Sequence, residues 1–244
     1  ASKDTVALAE RRALADRILA VAADVTDTAS ATSVMRRTFD RFGKVSVLIN
    51  NAAVGPQFFY QTNTRPRPRI WEADLTLWKR TIEVNATGPF VMTCAALPHM
   101  FAQDWGRVVN VTTSLETMIN PGQGPYGPAK AAAEAFTAML AADLKGTKVT
   151  ANVLVPGGPA NTRMIPSDGN RADRTLLVQP EVMVAPAIWL ASEASDGVNS
   201  MRFRGVMFDP KLAPEEAAKH AGRPCAWPQI AGDAVRPPGD TIGR

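Results

Sequence analysis

Histidine, cysteine and tyrosine are scarce in this chain, two of each in 244 residues, and the scarcity removes whole classes of function. Cys94 and Cys225 have no cysteine or histidine partner at metal-ligand spacing. This excludes a zinc module and a disulfide-stapled scaffold, and it fits packed or free thiols in a reducing cytoplasm. No metal is expected. The chain has no run of about eighteen uninterrupted apolar residues, and its opening, ASKDTVALAERR, lacks the apolar core of a signal peptide. Neither a membrane span nor a leader is predicted. Repeats and low-complexity tracts are missing as well. The formal net charge is +4 and the pI near 9.3, but the basic residues are scattered and do not gather into runs. That pattern argues against a nucleic-acid face and favours a small, phosphate-bearing ligand.

What is present is the composition of one soluble α/β domain, with 45% hydrophobic and 20% charged residues over 1–244. Short β-rich runs alternate with helical patterns, which predicts parallel strands joined by helical crossovers. The strand candidates are ILAVAAD (18–24), VSVLINN (45–51), RVVNVTT (107–113) and VTANVLVP (149–156). Helices are predicted over 28–42, 75–101 and 126–145, the last carrying Phe136, Leu140 and Leu144 on one face and stopping at Gly146. The segment after 211 is proline-rich and reads as irregular. In an open parallel sheet, ligands sit beyond the carboxyl ends of the strands. Asp24, Asn50-Asn51, Thr112-Thr113-Ser114 and Pro156-Gly157-Gly158 all fall at such ends.

The third predicted helix opens with PYGPAK, which spends one of two tyrosines four residues ahead of a lysine. Residues i and i+4 share a helix face, so the Lys130 ammonium is expected beside the Tyr126 phenol, drawing its pKa down toward a range useful for proton transfer. Alone, such a pair also fits a helix-start tyrosine with a solvated lysine. The hydroxyls of Thr113 and Ser114, at the end of the preceding strand, add a second element. Asn85 lies in a helical pattern with Pro89 four residues later. Proline has no N–H to return to the Asn85 carbonyl, so a kink with an unpaired acceptor is expected there.

In these residues the chain resembles the short-chain dehydrogenase/reductase family, and the likeness runs from about Asp24 to Met164. Tyr126 and Lys130 match the family's Tyr-Lys pair, Thr113 or Ser114 its hydroxyl, and Asn85 its asparagine. Asn50-Asn51-Ala52-Ala53 is similar to its Asn-Asn-Ala-Gly turn, with Ala53 replacing glycine. Asp24-Val25 resembles the adenine-side pair, and Pro156-Gly157 with Thr162 the nicotinamide-side elements. The resemblance implies a Rossmann-like doubly wound parallel sheet in three layers, α/β/α. It also implies hydride transfer between a nicotinamide cofactor and a carbonyl or secondary alcohol. Asn85, Thr113 or Ser114, Tyr126 and Lys130 would be catalytic. Asp24, Val25, Asn51, Ala52, Ala53, Tyr126, Lys130, Pro156, Gly157 and Thr162 would bind the cofactor.

Three departures accompany the likeness. Family spacing favours Thr113 as the hydroxyl, whereas residue type favours Ser114. Pro128 sits inside the Tyr-x-x-x-Lys segment, which is tolerable only in a first helical turn, so helix onset is predicted near Pro125. No glycine-rich phosphate turn precedes Asp24, and a native N-terminal segment is expected ahead of Ala1. Ser2 would then stand where members selective for NAD carry Asp, and with Lys3 beside it a 2′-phosphate would be welcome, so NADP is expected over NAD.

Phe58-Phe59-Tyr60, Trp71, Met118 and Met164-Ile165-Pro166 suggest an apolar substrate wall, and the alternating Arg-Pro segment 65–69 reads as a solvated loop or a contact for an acidic substrate. The helices at 75–101 and 126–145 are expected to carry a homodimer or homotetramer contact. An epimerase or dehydratase on the same fold, and a non-catalytic nucleotide-binding protein, are the alternative readings.

Overall fold

The computed structural model describes residues 2–55, 68–165 and 174–230. In chain order the regular helices and strands are α1 (Ser2–Arg11), α2 (Thr28–Phe42), β1 (Val47–Asn50), α3 (Leu75–Ile82) and α4 (Gly88–Ala102). They continue with β2 (Gly106–Val111), α5 (Leu115–Ile119), α6 (Tyr126–Asp143), β3 (Val149–Val155), α7 (Val184–Leu190), β4 (Met201–Arg204), α8 (Pro214–Ala221) and β5 (Gly222–Pro224). The strands form one sheet in the order β1-β2-β3-β4-β5, parallel throughout except for the antiparallel edge strand β5. β3 is buried along its entire length, as a parallel strand covered on both faces must be.

Side chains alternate between the two faces, and two cores result. Leu48, Val108 and Ala151 point to one side, where Ala31 and Met35 of α2, Met92, Ala96 and Met100 of α4, and Leu140 and Ala141 of α6 pack on them. Val109, Leu154 and Phe203 point to the other, against Trp189 of α7 and Ala217, Ala218 and Ala221 of α8. Burying each larger apolar side chain contributes about 1.5–3 kcal/mol. The result is the expected three-layer α/β/α arrangement.

Four predictions of the sequence are refined or overturned. Residues 18–24 contain no strand: among the described residues no neighbouring strand takes up their backbone groups, and β1 pairs only with β2. The helix predicted over 75–101 is divided by a π-helical turn at Glu83–Thr87, where the Gly88 N–H reaches the Glu83 carbonyl. This is how the chain accommodates Pro89 at the start of α4. The helix expected to reach 145 ends at Asp143, and Gly146 adopts φ +89° just beyond it. The segment from 211, expected to be irregular, instead forms α8 and β5 as far as Pro224. The eight residues of α8 carry Pro214, Glu215 and Glu216 in the first turn, Lys219 and His220 in the last, and a buried alanine stripe. Residues 231–244 lie outside the described residues.

Candidate active site

α6 begins where the proline argument placed it, with Pro125 as N-cap and Tyr126 as the first helical residue. Pro128 therefore falls in the first turn, where a missing N–H costs nothing. Gly127 permits the helix start to abut α5, because a Cβ there would lie 2.3 Å from the Met118 carbonyl oxygen. Met118 is consequently a packed residue and not part of an exposed substrate wall. This close approach brings the loop after β2 against the helix start.

Tyr126 is buried, and the Thr113 hydroxyl lies close enough to its phenol to favour the ionised form. The Ser114 hydroxyl has another task. It caps α5 by accepting from the Thr117 N–H at 3.1 Å and pairs with the Thr117 hydroxyl at 2.8 Å. The two hydroxyls that spacing and residue type leave open thus have different surroundings, Thr113 beside the phenol and Ser114 on α5.

The expectation that Lys130 lowers the phenol's pKa is not met. Lys130 lies one turn along the same face, but its side chain runs back to the end of β2 and its ammonium donates to the Val111 carbonyl at 2.7 Å. Burial pushes the Tyr126 phenol up to about 12, against a smaller lowering by Thr113. Burial also brings the Lys130 ammonium down to about 8. Desolvation disfavours the charged form of each group, and it outweighs any field that one exerts on the other.

Asn85 occupies the middle of the π turn, fully buried. Its side-chain amide closes a reciprocal pair with the backbone of Val54, accepting from the Val54 N–H and donating to the Val54 carbonyl, both at 2.8 Å. The π turn therefore pins the segment that leaves β1, including Asn51, Ala52 and Ala53. Asn51 and Ala52 are exposed at the carboxyl edge, whereas Asn50 points inward and donates to the Asn110 side chain at 2.8 Å. At the end of β3, Gly157 takes φ +100°, a conformation that favours glycine, and leaves room for Val206, which a Cβ would meet at 2.3 Å. The Thr162 hydroxyl accepts from the Met164 N–H at 3.3 Å, and the Thr162 carbonyl receives the Arg174 guanidinium.

At the far end of the same edge, Asp24 accepts from the Thr26 N–H and hydroxyl and from Arg80 at 3.2 Å. The Thr26 N–H, followed by its hydroxyl and Arg80, holds the exposed Asp24 carboxyl below its usual range. Val25 packs beside the π turn, close enough that a Cβ on Gly88 would lie 2.9 Å from it. Ser2 and Lys3 open α1. Phe58, Phe59, Tyr60, Arg65, Pro66, Arg67 and Pro166 lie outside the described residues.

Sequence reasoning missed Arg80, Glu134 and Arg202. Glu134 had a signal, since it follows Lys130 by four residues on the face that starts with Tyr126. Arg202 had none, because an arginine in a short MRFR run reads as a solvated edge.

The chemistry of this edge suits a dinucleotide. Lys130 carries three N–H donors, of which the Val111 carbonyl takes one. Exposed backbone follows β1 and β3, and a hydroxyl-phenol pair lies between them. Among the described residues, no group of three or more His, Cys, Asp or Glu is placed to hold a metal ion, and no helix is long and apolar enough to cross a membrane.

Comparison with known proteins agrees with this geometry. The family described as short chain dehydrogenase matches residues 2–172. A 3-oxoacyl-[acyl-carrier-protein] reductase of Synechocystis is 34% identical over 139 residues, covering 57% of this chain and 52% of that protein. A cis-4-hydroxycyclohexanecarboxylate dehydrogenase of Sinomonas cyclohexanicum is 31% identical over 198 residues, with 77% of this chain and 76% of the relative covered. A gluconate 5-dehydrogenase structure from Burkholderia cenocepacia, in complex with NADP and tartrate, superposes with a TM-score of 0.60 at 25% identity. That match covers 72% of this chain and 69% of the other. The chain spans only 52% and 59% of the length of two of the curated relatives that it matches. By its matched residues and its fold, the chain belongs to the short chain dehydrogenase family.

Proposed function

We propose that this protein is an NAD(P)-dependent oxidoreductase acting on a small carbonyl or secondary alcohol substrate, with Tyr126 as the proton-transfer group. The observation that carries this reading is the Thr113 hydroxyl on the Tyr126 phenol at the carboxyl edge of the sheet, with Lys130 buried beneath it. A bound nicotinamide cofactor would supply the hydride in reduction and accept it in oxidation, where Tyr126 would take up the alcohol proton. Tyr126 donates its proton to the substrate oxygen, and Thr113 holds that oxygen where negative charge develops. Lys130 offers its remaining donors to a ribose, and Asn85 fixes the β1 exit while its main-chain carbonyl serves a water-linked proton path.

A phenol pushed up to about 12 by burial keeps its proton at neutral pH and can donate it when a carbonyl is reduced. Asp24 and Val25 line the adenine side, Asn51, Ala52 and Ala53 the middle, and Pro156, Gly157 and Thr162 the nicotinamide side. Ser2 and Lys3 at the amino end of α1 favour a 2′-phosphate, hence NADP. Trp71, the largest exposed apolar side chain before α3, would meet an apolar substrate. A homodimer or homotetramer through α3–α4 and α6, in the cytoplasm, completes the proposal.

Incubation with NADPH and a ketone panel, followed by nicotinamide absorbance, tests it. Net oxidation supports the reductase. Product without net oxidation replaces it with an epimerase or dehydratase, and no turnover with retained dinucleotide binding replaces it with a binding protein.

A further inference from the structure

Glu134 and Arg202 form an ion pair at 3.0 Å, with the Glu134 side chain fully buried and that of Arg202 only 9% exposed. Buried pairs are expensive, and apolar residues of similar volume often serve stability as well or better. Stability alone does not account for such a pair, and its remaining contacts indicate a further role. The second Glu134 oxygen accepts from the Thr112 hydroxyl at 2.9 Å, and an Arg202 Nη donates to the Thr113 carbonyl.

Three consecutive residues at the exit of β2 are therefore each held by a charged side chain. Lys130 takes the Val111 carbonyl, Glu134 the Thr112 hydroxyl, and Arg202 the Thr113 carbonyl. The strand ladder does not extend to Thr113: β2 ends at Val111, and the Thr112 N–H makes a final bond to the Leu154 carbonyl at 3.2 Å. Beyond that point the charged side chains replace the ladder. Lys130 and Glu134 lie four and eight residues after Tyr126, on one face of α6. The helix that carries the phenol thus also carries two of the three grips on the segment that presents the hydroxyl.

We propose that Arg202, oriented by Glu134, is a positioning residue: it fixes the Thr113 backbone so that the Thr113 hydroxyl meets the Tyr126 phenol. This rests on the reading of Tyr126 and Thr113 given above. The role of Arg202 is indirect, because it touches the carbonyl of Thr113 and not the reacting atoms.

The test uses the full chain with threonine methyl groups labelled for NMR, the Thr113 signal being assigned by Thr113→Ser. Glu134→Gln/Arg202→Met removes both charges and keeps an acceptor for Thr112, so the fold is retained. Arg202→Lys serves as the conservative rescue. The expected result is a shifted or broadened Thr113 methyl signal in the double variant. Its kcat should fall by about tenfold or more, with dinucleotide KM within about twofold, and Arg202→Lys should recover part of the kcat. A double variant with kcat within about twofold of the parent, or with a loss that only tracks its melting temperature, overturns the proposal. If the parent protein turns over no ketone, the function reading fails and the methyl signal alone decides. Displacement of that signal upholds the positioning role, and an unchanged signal overturns it.

Discussion

The two ends of β2 are each held by a buried arginine, and the arginines are used differently. At the amino end, Arg107 places its guanidinium 4.1 Å from the centre of the Trp105 ring, donates to the Gly106 and Lys148 carbonyls, and pairs with Asp196, which is largely exposed. Burial lowers the Arg107 pKa, with Asp196 opposing. At the carboxyl end, Arg202 pairs with a carboxylate that has no exposure and grips the backbone beside the Tyr126 phenol. One end closes turns and the other aims a hydroxyl. The contrast sets the edge proposed as the active site against an edge where the buried arginine holds only turns and a surface carboxylate.

Tyr126→Phe should break the contrast most severely. It removes the transferable proton and little volume, so kcat should fall about 10²–10⁴-fold while dinucleotide affinity changes little, as steady-state kinetics and binding titration would show. Retained turnover would remove the functional edge altogether. Next in size is Thr113→Val, with an expected loss of about 10²-fold in kcat. Ser114→Ala provides the matched control, costing about 1 kcal/mol as a lost helix cap with turnover nearly intact. A reversal of the two would return the catalytic hydroxyl to Ser114.

Lys130→Met separates the cost of the site from its use. The folded-state pKa of about 8 lies below the ordinary 10.5, so the buried charge opposes folding fully below pH 8, and the penalty disappears as pH rises toward 10.5. Wild-type stability should therefore gain on that of the variant by about 3 kcal/mol at most across that window, measured by denaturant unfolding. Tyr126 behaves oppositely: its raised pKa supports folding below pH 10, and this support is lost as pH climbs toward 12. That contribution is common to both proteins and cancels in the comparison. The smallest activity effect belongs to Arg107→Met. It should lower stability by about 1–3 kcal/mol and leave kcat unchanged at a temperature where the variant is folded. A catalytic defect without destabilisation would show that the amino edge also communicates with the site.

Much of this organisation is legible in the chain. Helix α2 was predicted with the boundaries it has, because Asp27 caps its start by accepting from the Ser30 N–H and Gly43 closes it with φ +74°. The runs at 45–51, 107–113 and 149–156 became β1, β2 and β3, since apolar β-branched stretches between turns have few other uses. ILAVAAD has the same local pattern and forms no strand, because a ladder needs a neighbour that residue pattern alone does not supply. β4 is hard to read from the sequence: its arginines resemble surface residues, and only the partner Glu134, 68 positions away, makes Arg202 a buried one. The Tyr126-Lys130 spacing gave the shared face correctly but could not reveal that Val111 captures the ammonium. Long-range partners decide each of these cases.

The π turn at Glu83–Thr87 acts as a phase adjuster within the long helix between β1 and β2. One residue corresponds to about 100° of helical rotation, so an added residue in one turn offsets the azimuth of everything after it. Substituting Pro89 to restore ordinary winding would turn α3 against α4, and Asn85 and the packing stripe of Met92, Ala96 and Met100 could no longer both face inward. The irregularity is what allows a single rod to serve two differently oriented surfaces, so a straighter helix would be the defective one.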